Sequence, residues 1–160
     1  MVRDNLNQNV SILNIPDVHS IENVHSIYAS GYDIYFTPDV GLGIISKNNQ
    51  FKLQPLIHAN KHIDITSFFQ QNDSTLWIGT MGDGLYKFNV RNHSFRRISL
   101  NESLRSAGIL SITGNTEIVY VSTLDGTWVS TTLNHDKINF ASLEDAYKTK
   151  RSYVYHVKLD

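Results

Sequence analysis

An apolar–aromatic–apolar triplet recurs at a near-constant spacing, as Ile34-Tyr35-Phe36, Leu76-Trp77-Ile78 and Val119-Tyr120-Val121, with the central aromatics 42 and 43 residues apart. A period of roughly 20–50 residues signals stacked supersecondary units, none of which can bury its apolar surface alone. Each triplet follows a turn signal: Ser30-Gly31-Tyr32-Asp33, Asn72-Asp73-Ser74-Thr75 and Gly114-Asn115-Thr116-Glu117. Before each turn stands a serine with an apolar residue, Ser26-Ile27, Ser67-Phe68 and Ser111-Ile112. After each triplet, within eight residues, comes a glycine with an apolar or β-branched neighbour, Gly41-Leu42, Gly84-Leu85 and Gly126-Thr127-Trp128. In the middle copy, Asn72-Asp73, Gly82-Asp83 and Arg91-Asn92-His93 divide the unit into strands over about 64–70, 75–80, 84–90 and 94–100. Runs such as Leu-Trp-Ile-Gly-Thr are apolar on both faces, as in a sheet covered on both sides. The spacing therefore predicts an all-β chain of β-propeller blades, each of four antiparallel strands.

The middle copy carries the fullest motif, Asp73-Ser74-Thr75-Leu76-Trp77-Ile78-Gly79-Thr80 followed by Gly82-Asp83-Gly84-Leu85-Tyr86-Lys87-Phe88. It resembles the two-component regulator propeller repeat, whose usual form is Asp-x-x-Gly-Asn-Leu-Trp-Ile-Gly-Thr and then Gly-Gly-Leu with an aromatic shortly after. The match is strong over 63–100 and weaker over 22–56 and 107–143. Ser74-Thr75 replaces the turn Gly-Asn, Asp83 interrupts the Gly-Gly pair, and the first and third copies are a residue shorter there. The residues expected to build the blade motif are Tyr35, Gly41, Leu76, Trp77, Gly79, Thr80, Gly82, Gly84, Leu85, Tyr120 and Gly126.

The resemblance implies a ligand-sensing or ligand-binding segment of the extracytoplasmic input region of a two-component sensor. It implies a periplasmic location and an oligosaccharide as partner, since such propellers often sense glycan fragments. The segment itself is expected not to be an enzyme; histidine kinase activity would belong to a parent chain. Two other readings stand beside it: a non-catalytic structural or protein-interaction propeller, and a propeller lyase or glycosidase whose carboxylates converge from separate blades.

The glycine cluster after Leu76-Trp77-Ile78 also raises a phosphate loop. Its spacing is G-x-x-G-x-G, the reverse of the dinucleotide fingerprint, and Leu85–Phe88 alternates like a strand where a phosphate site needs a helix N-terminus. The expectation is a structural turn, with Trp77 packed between adjacent blades. His58 and His62 have i,i+4 spacing, yet they fall between blades, after Pro55, and no glutamate accompanies them, so no metal site is expected. No Gly-x-Ser-x-Gly elbow marks a nucleophile, and Asp64, Asp73, Asp83 and Asp125 stand at turns, where aspartate is common. Catalytic residues and cofactors are thus expected to be none. Ligand-binding residues are left unassigned, with Gly31-Tyr32-Asp33, Met81-Gly82-Asp83 and His58–His62 as candidate loops.

A net charge of −1 with scattered basic residues gives nucleic acid nothing to bind, and there is no apolar run long enough for a membrane span, so neither partner is expected. The absence of cysteine excludes disulfides and thiol chemistry. Residues 141–149 offer a short helix, capped by Ser142 with Asp145 three residues on.

The expected boundaries are the end of one blade at about 1–16, blades at about 22–56, 63–100 and 107–143, and the first strand of a further blade at 153–160. About fourteen strands fall short of the sixteen or so that a four-bladed ring needs. The expectation is an incomplete propeller, a piece of a longer one, or a divergent small ring. Its exposed blade faces would meet the remaining blades or another copy of the chain.

Overall fold

The computed structural model describes residues 21, 23–30, 33–39, 41–98, 108–133 and 138–147; the strands expected at 9–15 and 153–159 lie outside the described residues. Sheet one contains β1 (Val24–Ala29), β2 (Ile34–Pro38), β3 (Leu42–Ile45) and β4 (Phe51–Gln54). A two-stranded hairpin, β5 (Ile57–His58) with β6 (Lys61–His62), occupies the connection to the next unit. Sheet two contains β7 (Ile65–Asn72), β8 (Thr75–Thr80), β9 (Leu85–Asn89) and β10 (Phe95–Arg97). Sheet three contains β11 (Ile109–Gly114), β12 (Val119–Thr123), β13 (Gly126–Leu133) and β14 (Ile138–Ser142), and a single turn of helix, α1 (Leu143–Tyr147), follows it. Each sheet is an antiparallel meander in which sequence order equals spatial order. The chain is all-β, and among the described residues the three sheets do not close into a ring.

Short polar side chains make the tight turns. Asn72 Oδ1 accepts from Ser74 N at 3.0 Å, Asn115 Oδ1 from Glu117 N at 2.8 Å and Asn92 Oδ1 from Ser94 N at 2.9 Å. These bonds occupy amides that the ladders cannot reach. At α1, Ser142 Oγ accepts from Asp145 N at 3.1 Å while its hydroxyl donates to the Asp145 carboxylate, which caps a helix too short to hold itself.

The sheets stack face to face, and strand alternation decides which side chain enters which junction. Leu76, Ile78, Tyr86 and Phe88 of sheet two join Tyr35, Leu42 and Ile44 of sheet one in one buried cluster. Trp77 and Leu85, on the other face of sheet two, join Ile109, Val121 and Phe140 of sheet three in a second. An edge-to-face aromatic pair marks each junction, Tyr35 on Phe88 at 6.1 Å between ring centroids and Trp77 on Phe140 at 6.3 Å. Such pairs add about 0.5–1.5 kcal/mol beyond their buried area. Tyr35 and Trp77 are wholly buried, whereas Tyr120, at the same place in sheet three, is only partly so.

The glycines of the middle motif serve two different needs. Gly82 and Gly84 have φ of +88° and +82°, a conformation that costs residues with a Cβ, and they form the β8–β9 turn. Gly79 lies within β8, and a Cβ there would stand 2.4 Å from Ser67 Oγ and 2.6 Å from Ile109 Cγ2. It lets sheet three approach sheet two. Substitution at the two kinds of site should therefore separate. Gly82→Ala meets open space and is expected to cost about 1 kcal/mol from backbone strain alone. Gly79→Ala is expected to cost about 1–3 kcal/mol, because it wedges a junction open. Urea midpoints of the two variants check the order.

Candidate functional site

In a meander, successive turns alternate between the two ends of the sheet. The β2–β3, β8–β9 and β12–β13 turns and the connections between sheets share one end; the remaining turns share the other.

At the first end, Asp83 collects the polar side chains around the β8–β9 turn. Its Oδ1 accepts from His58 Nδ1 at 2.9 Å and from the Arg97 guanidinium at 3.1 Å, and its Oδ2 accepts from the Tyr86 hydroxyl. Arg97 Nε also donates to the Asp83 carbonyl at 3.0 Å. Because a carboxylate only accepts, His58 Nδ1 carries a proton; because a guanidinium only donates, His58 Nε2, 3.4 Å from Arg97, is the acceptor. The network pins the β5–β6 hairpin, which carries His58, onto sheet two. It leaves Asp83 engaged on both oxygens, as a positioned structural carboxylate. Thr80, buried at the end of β8, accepts from Asp83 N at 3.2 Å and donates to Gly84 O at 2.7 Å. Thr123 repeats the clamp with Asp125 N at 3.2 Å and Gly126 O at 2.9 Å. In sheet one, Asp39 at the matching turn accepts from His25 at 3.0 Å.

At the opposite end, a groove of about 660 Å³ runs between the outer strands of sheet one and the β9–β10 turn of sheet two, lined by Asp33, Ser46, Asn49, Gln50, Lys52 and His93, with Ile44 and Phe51 as its apolar wall. Lys52 Nζ donates to His93 Nδ1 at 3.0 Å across it. His93 in turn stacks on Phe88, with ring centroids 5.8 Å apart, and holds a φ of +55°. One cation, one carboxylate, two amides and a hydroxyl around an aromatic wall can bind a polar, hydroxyl-bearing ligand through several directed hydrogen bonds. A second groove, of about 240 Å³, is lined by Asp125, Thr127, Trp128, Ser142 and Glu144. There Thr127 Oγ1 and Trp128 Nε1 are buried with no protein partner.

The structure distributes the expected motif residues among separate tasks. Tyr35, Leu76, Trp77 and Leu85 fill junctions, Thr80 clamps a turn, Gly79 permits close approach, and Gly41, Gly82, Gly84 and Gly126 lie at the β2–β3, β8–β9 and β12–β13 turns. Of the candidate loops, Met81–Asp83 and His58–His62 come together through the His58–Asp83 bond, while Asp33 lies in the groove at the other end and residues 31–32 lie outside the described residues. His58 and His62 sit on paired strands of the hairpin, not on a helix. Among the described residues no three His, Asp or Glu side chains gather as a metal site would need. The sequence reasoning missed Lys52 and His93; their signal, a lysine and a histidine 41 residues apart, is close to the repeat period.

No protein-family model matches the chain, and no curated protein matches it in sequence. Among solved structures it is similar to the extracellular domain of a protein assigned as a one-component system in B. thetaiotaomicron, at 18% identity with a TM-score of 0.57, over 75% of this chain and 16% of that one. The chain thus spans about a sixth of that domain, and the likeness is one of fold. It also aligns with the N-terminal domain of Nup159 at 12% identity and a TM-score of 0.38, over 77% of this chain and 48% of that one, a likeness too distant to bear on this chain.

Both ends contain a tyrosine that resists ionisation. Burial first, then the neighbouring Asp33 carboxylate, pushes the Tyr35 hydroxyl far above its ordinary 10.0; burial and then the Asp83 hydrogen bond do the same to Tyr86. A group whose folded pKa is raised contributes stability that is whole below its unfolded pKa and is lost as pH rises towards the folded value. The urea midpoint is therefore expected to be level below pH 10 on this account and to fall above it, with two tyrosines forming phenolate only as the chain unfolds, read by ultraviolet titration.

Proposed function

We propose that the chain is a ligand-binding segment of the extracytoplasmic input region of a sensor, and that it binds without turning its ligand over. The observation that carries this reading is the fold shared with an extracellular domain of a one-component system over three quarters of the chain. The groove beside Lys52 and His93 supports the reading as a place for a ligand. A glycan fragment fits its chemistry. Sugar hydroxyls pair with the Asp33 carboxylate and the Asn49 and Gln50 amides, and a sugar's apolar face can lie against Phe51. On this reading the location is periplasmic, as part of a membrane-anchored one- or two-component sensor.

Titration calorimetry with a panel of neutral and acidic oligosaccharides tests the proposal. One member is expected to bind, and Lys52→Ala and Asn49→Ala are expected each to weaken it about tenfold, as loss of a directed polar contact does. Binding that survives both variants moves the site to the smaller groove by Trp128. A panel that yields no binder overturns the sensor reading and leaves the second one, a non-catalytic structural or protein-interaction propeller.

A further inference from the structure

His25 and His58 each meet a carboxylate, Asp39 at 3.0 Å and Asp83 at 2.9 Å. His93 meets a cation instead, Lys52 Nζ at 3.0 Å. An ammonium only donates, so His93 Nδ1 accepts and the ring proton sits on Nε2. Lys52 keeps two further N–H donors after that bond. It takes part in none of the ion pairs between described residues, which are His25–Asp39, His58–Asp83 and Arg97–Asp83. Two basic side chains, one from each sheet, thus meet at the groove with no carboxylate to balance them.

The pair is placed, not trailing. Lys52 lies within β4, and His93 is half-buried, with its ring stacked on the buried Phe88. The groove's own carboxylate, Asp33, is engaged elsewhere: it accepts from the Tyr35 hydroxyl at 3.4 Å and forms no ion pair with Lys52. Positive and negative charge therefore stand at separate places in one groove, with Ser46, Asn49 and Gln50 also in its lining. A groove of this kind has a polarity, and a ligand with one charged end has one favoured direction in it.

We propose that the ligand of this groove is an acidic sugar, with a carboxylate or sulfate ester seated against Lys52 and its hydroxyls directed towards Asp33. The inference rests on the ligand-binding reading above and adds the charge and direction of the ligand. An anion beside Lys52 accepts a charge-assisted hydrogen bond, about twice as strong as a neutral one. Asp33 repels the same anion, so the reverse orientation is disfavoured, and a repulsive element of this sort gives specificity as well as affinity. His93 is then a positioning residue: it holds the ammonium at the sheet junction.

Titration calorimetry of the full chain with matched pairs tests this. Galacturonate and glucuronate oligosaccharides are each set against their methyl esters, which keep every hydroxyl and lose the charge. Sulfated and desulfated galactose oligosaccharides form a third pair, and the pair that responds tells carboxylate from sulfate. In at least one pair the acidic member is expected to bind about tenfold tighter than its neutral partner. The gap is expected to narrow as salt rises, because the groove is open to solvent. Lys52→Gln is expected to close the gap by weakening the acidic member alone, and Lys52→Arg to keep it; a merely structural role for Lys52 would weaken both members together. His93→Asn, which tolerates the positive φ, is expected to narrow the gap. Neutral members that bind as tightly as acidic ones overturn the inference and leave the ligand-binding reading standing. A gap that persists in Lys52→Gln overturns it too, because the anion then lies elsewhere. If no member of any pair binds, both readings fall.

Discussion

The insertion of one aromatic ring into the next sheet holds this structure together. Tyr35 and Trp77 are each wholly buried, and each meets a ring of the following sheet edge-on. A single four-stranded meander has two apolar faces and no way to cover either, so no unit is stable by itself. Burying a ring of this size contributes more than any turn or ion pair in the chain can. The polar contacts then set the angle and depth of insertion. Trp77 Nε1 donates to Gln71 Oε1 at 3.0 Å, and the Gln71 amide donates onward to Thr116 O at 3.1 Å, which ties the indole to the far side of its own junction. Lys87 lies over the same indole at 4.4 Å, and its ammonium is disfavoured by burial and then by Arg96, so its pKa is lowered.

The ends of the stack depend on those junctions in different ways. At the end with the β8–β9 turn, the hairpin between sheets one and two folds back onto Asp83, and the same chain segment places Ile63 and Leu56 in the first junction. Position there is fixed by the bonds among His58, Asp83, Tyr86 and Arg97. At the other end, the groove lies between the outer strands of sheet one and the β9–β10 turn, and its floor is the first junction itself, through Ile44. Lys52 belongs to sheet one and His93 to sheet two, so the distance between them reads out how those two sheets sit.

What the sequence made legible was whatever repeats. The triplets at 34–36, 76–78 and 119–121 gave the strand count per unit, the antiparallel order and the ring that enters each junction, because period-two alternation and a 42–43-residue recurrence are both local patterns. Positive φ at Gly82 and Gly84 follows from turn chemistry in the same way. Gly79 did not, for its reason is Ile109 of another sheet, 30 residues on. The β5–β6 hairpin was invisible because two residues per strand leave no periodicity to read. The groove was illegible for the same reason as Gly79: Asp33, Lys52 and His93 belong to three turns or strands whose meeting is decided by how the sheets stack. No residue in it is unusual by itself.

The three front faces, those built on Tyr35, Trp77 and Tyr120, share a register and yet differ in substance. On the front of sheet one, Leu42 and Ile44 accompany the aromatic; on the front of sheet two, Leu85 and Lys87; on the front of sheet three, Thr127 and Val129, with Ser122 where sheet two has Gly79. The rear faces differ in step, and Ile109 fits only where a glycine has made room. Each sheet is therefore addressed to one neighbour. Shuffling the units, or duplicating one in another's place, would keep every strand and every ring but set Ser122 against a wall shaped for a missing side chain. The order of the units is written in their flanking residues, and a chain assembled from near-identical parts thereby acquires a single permitted permutation.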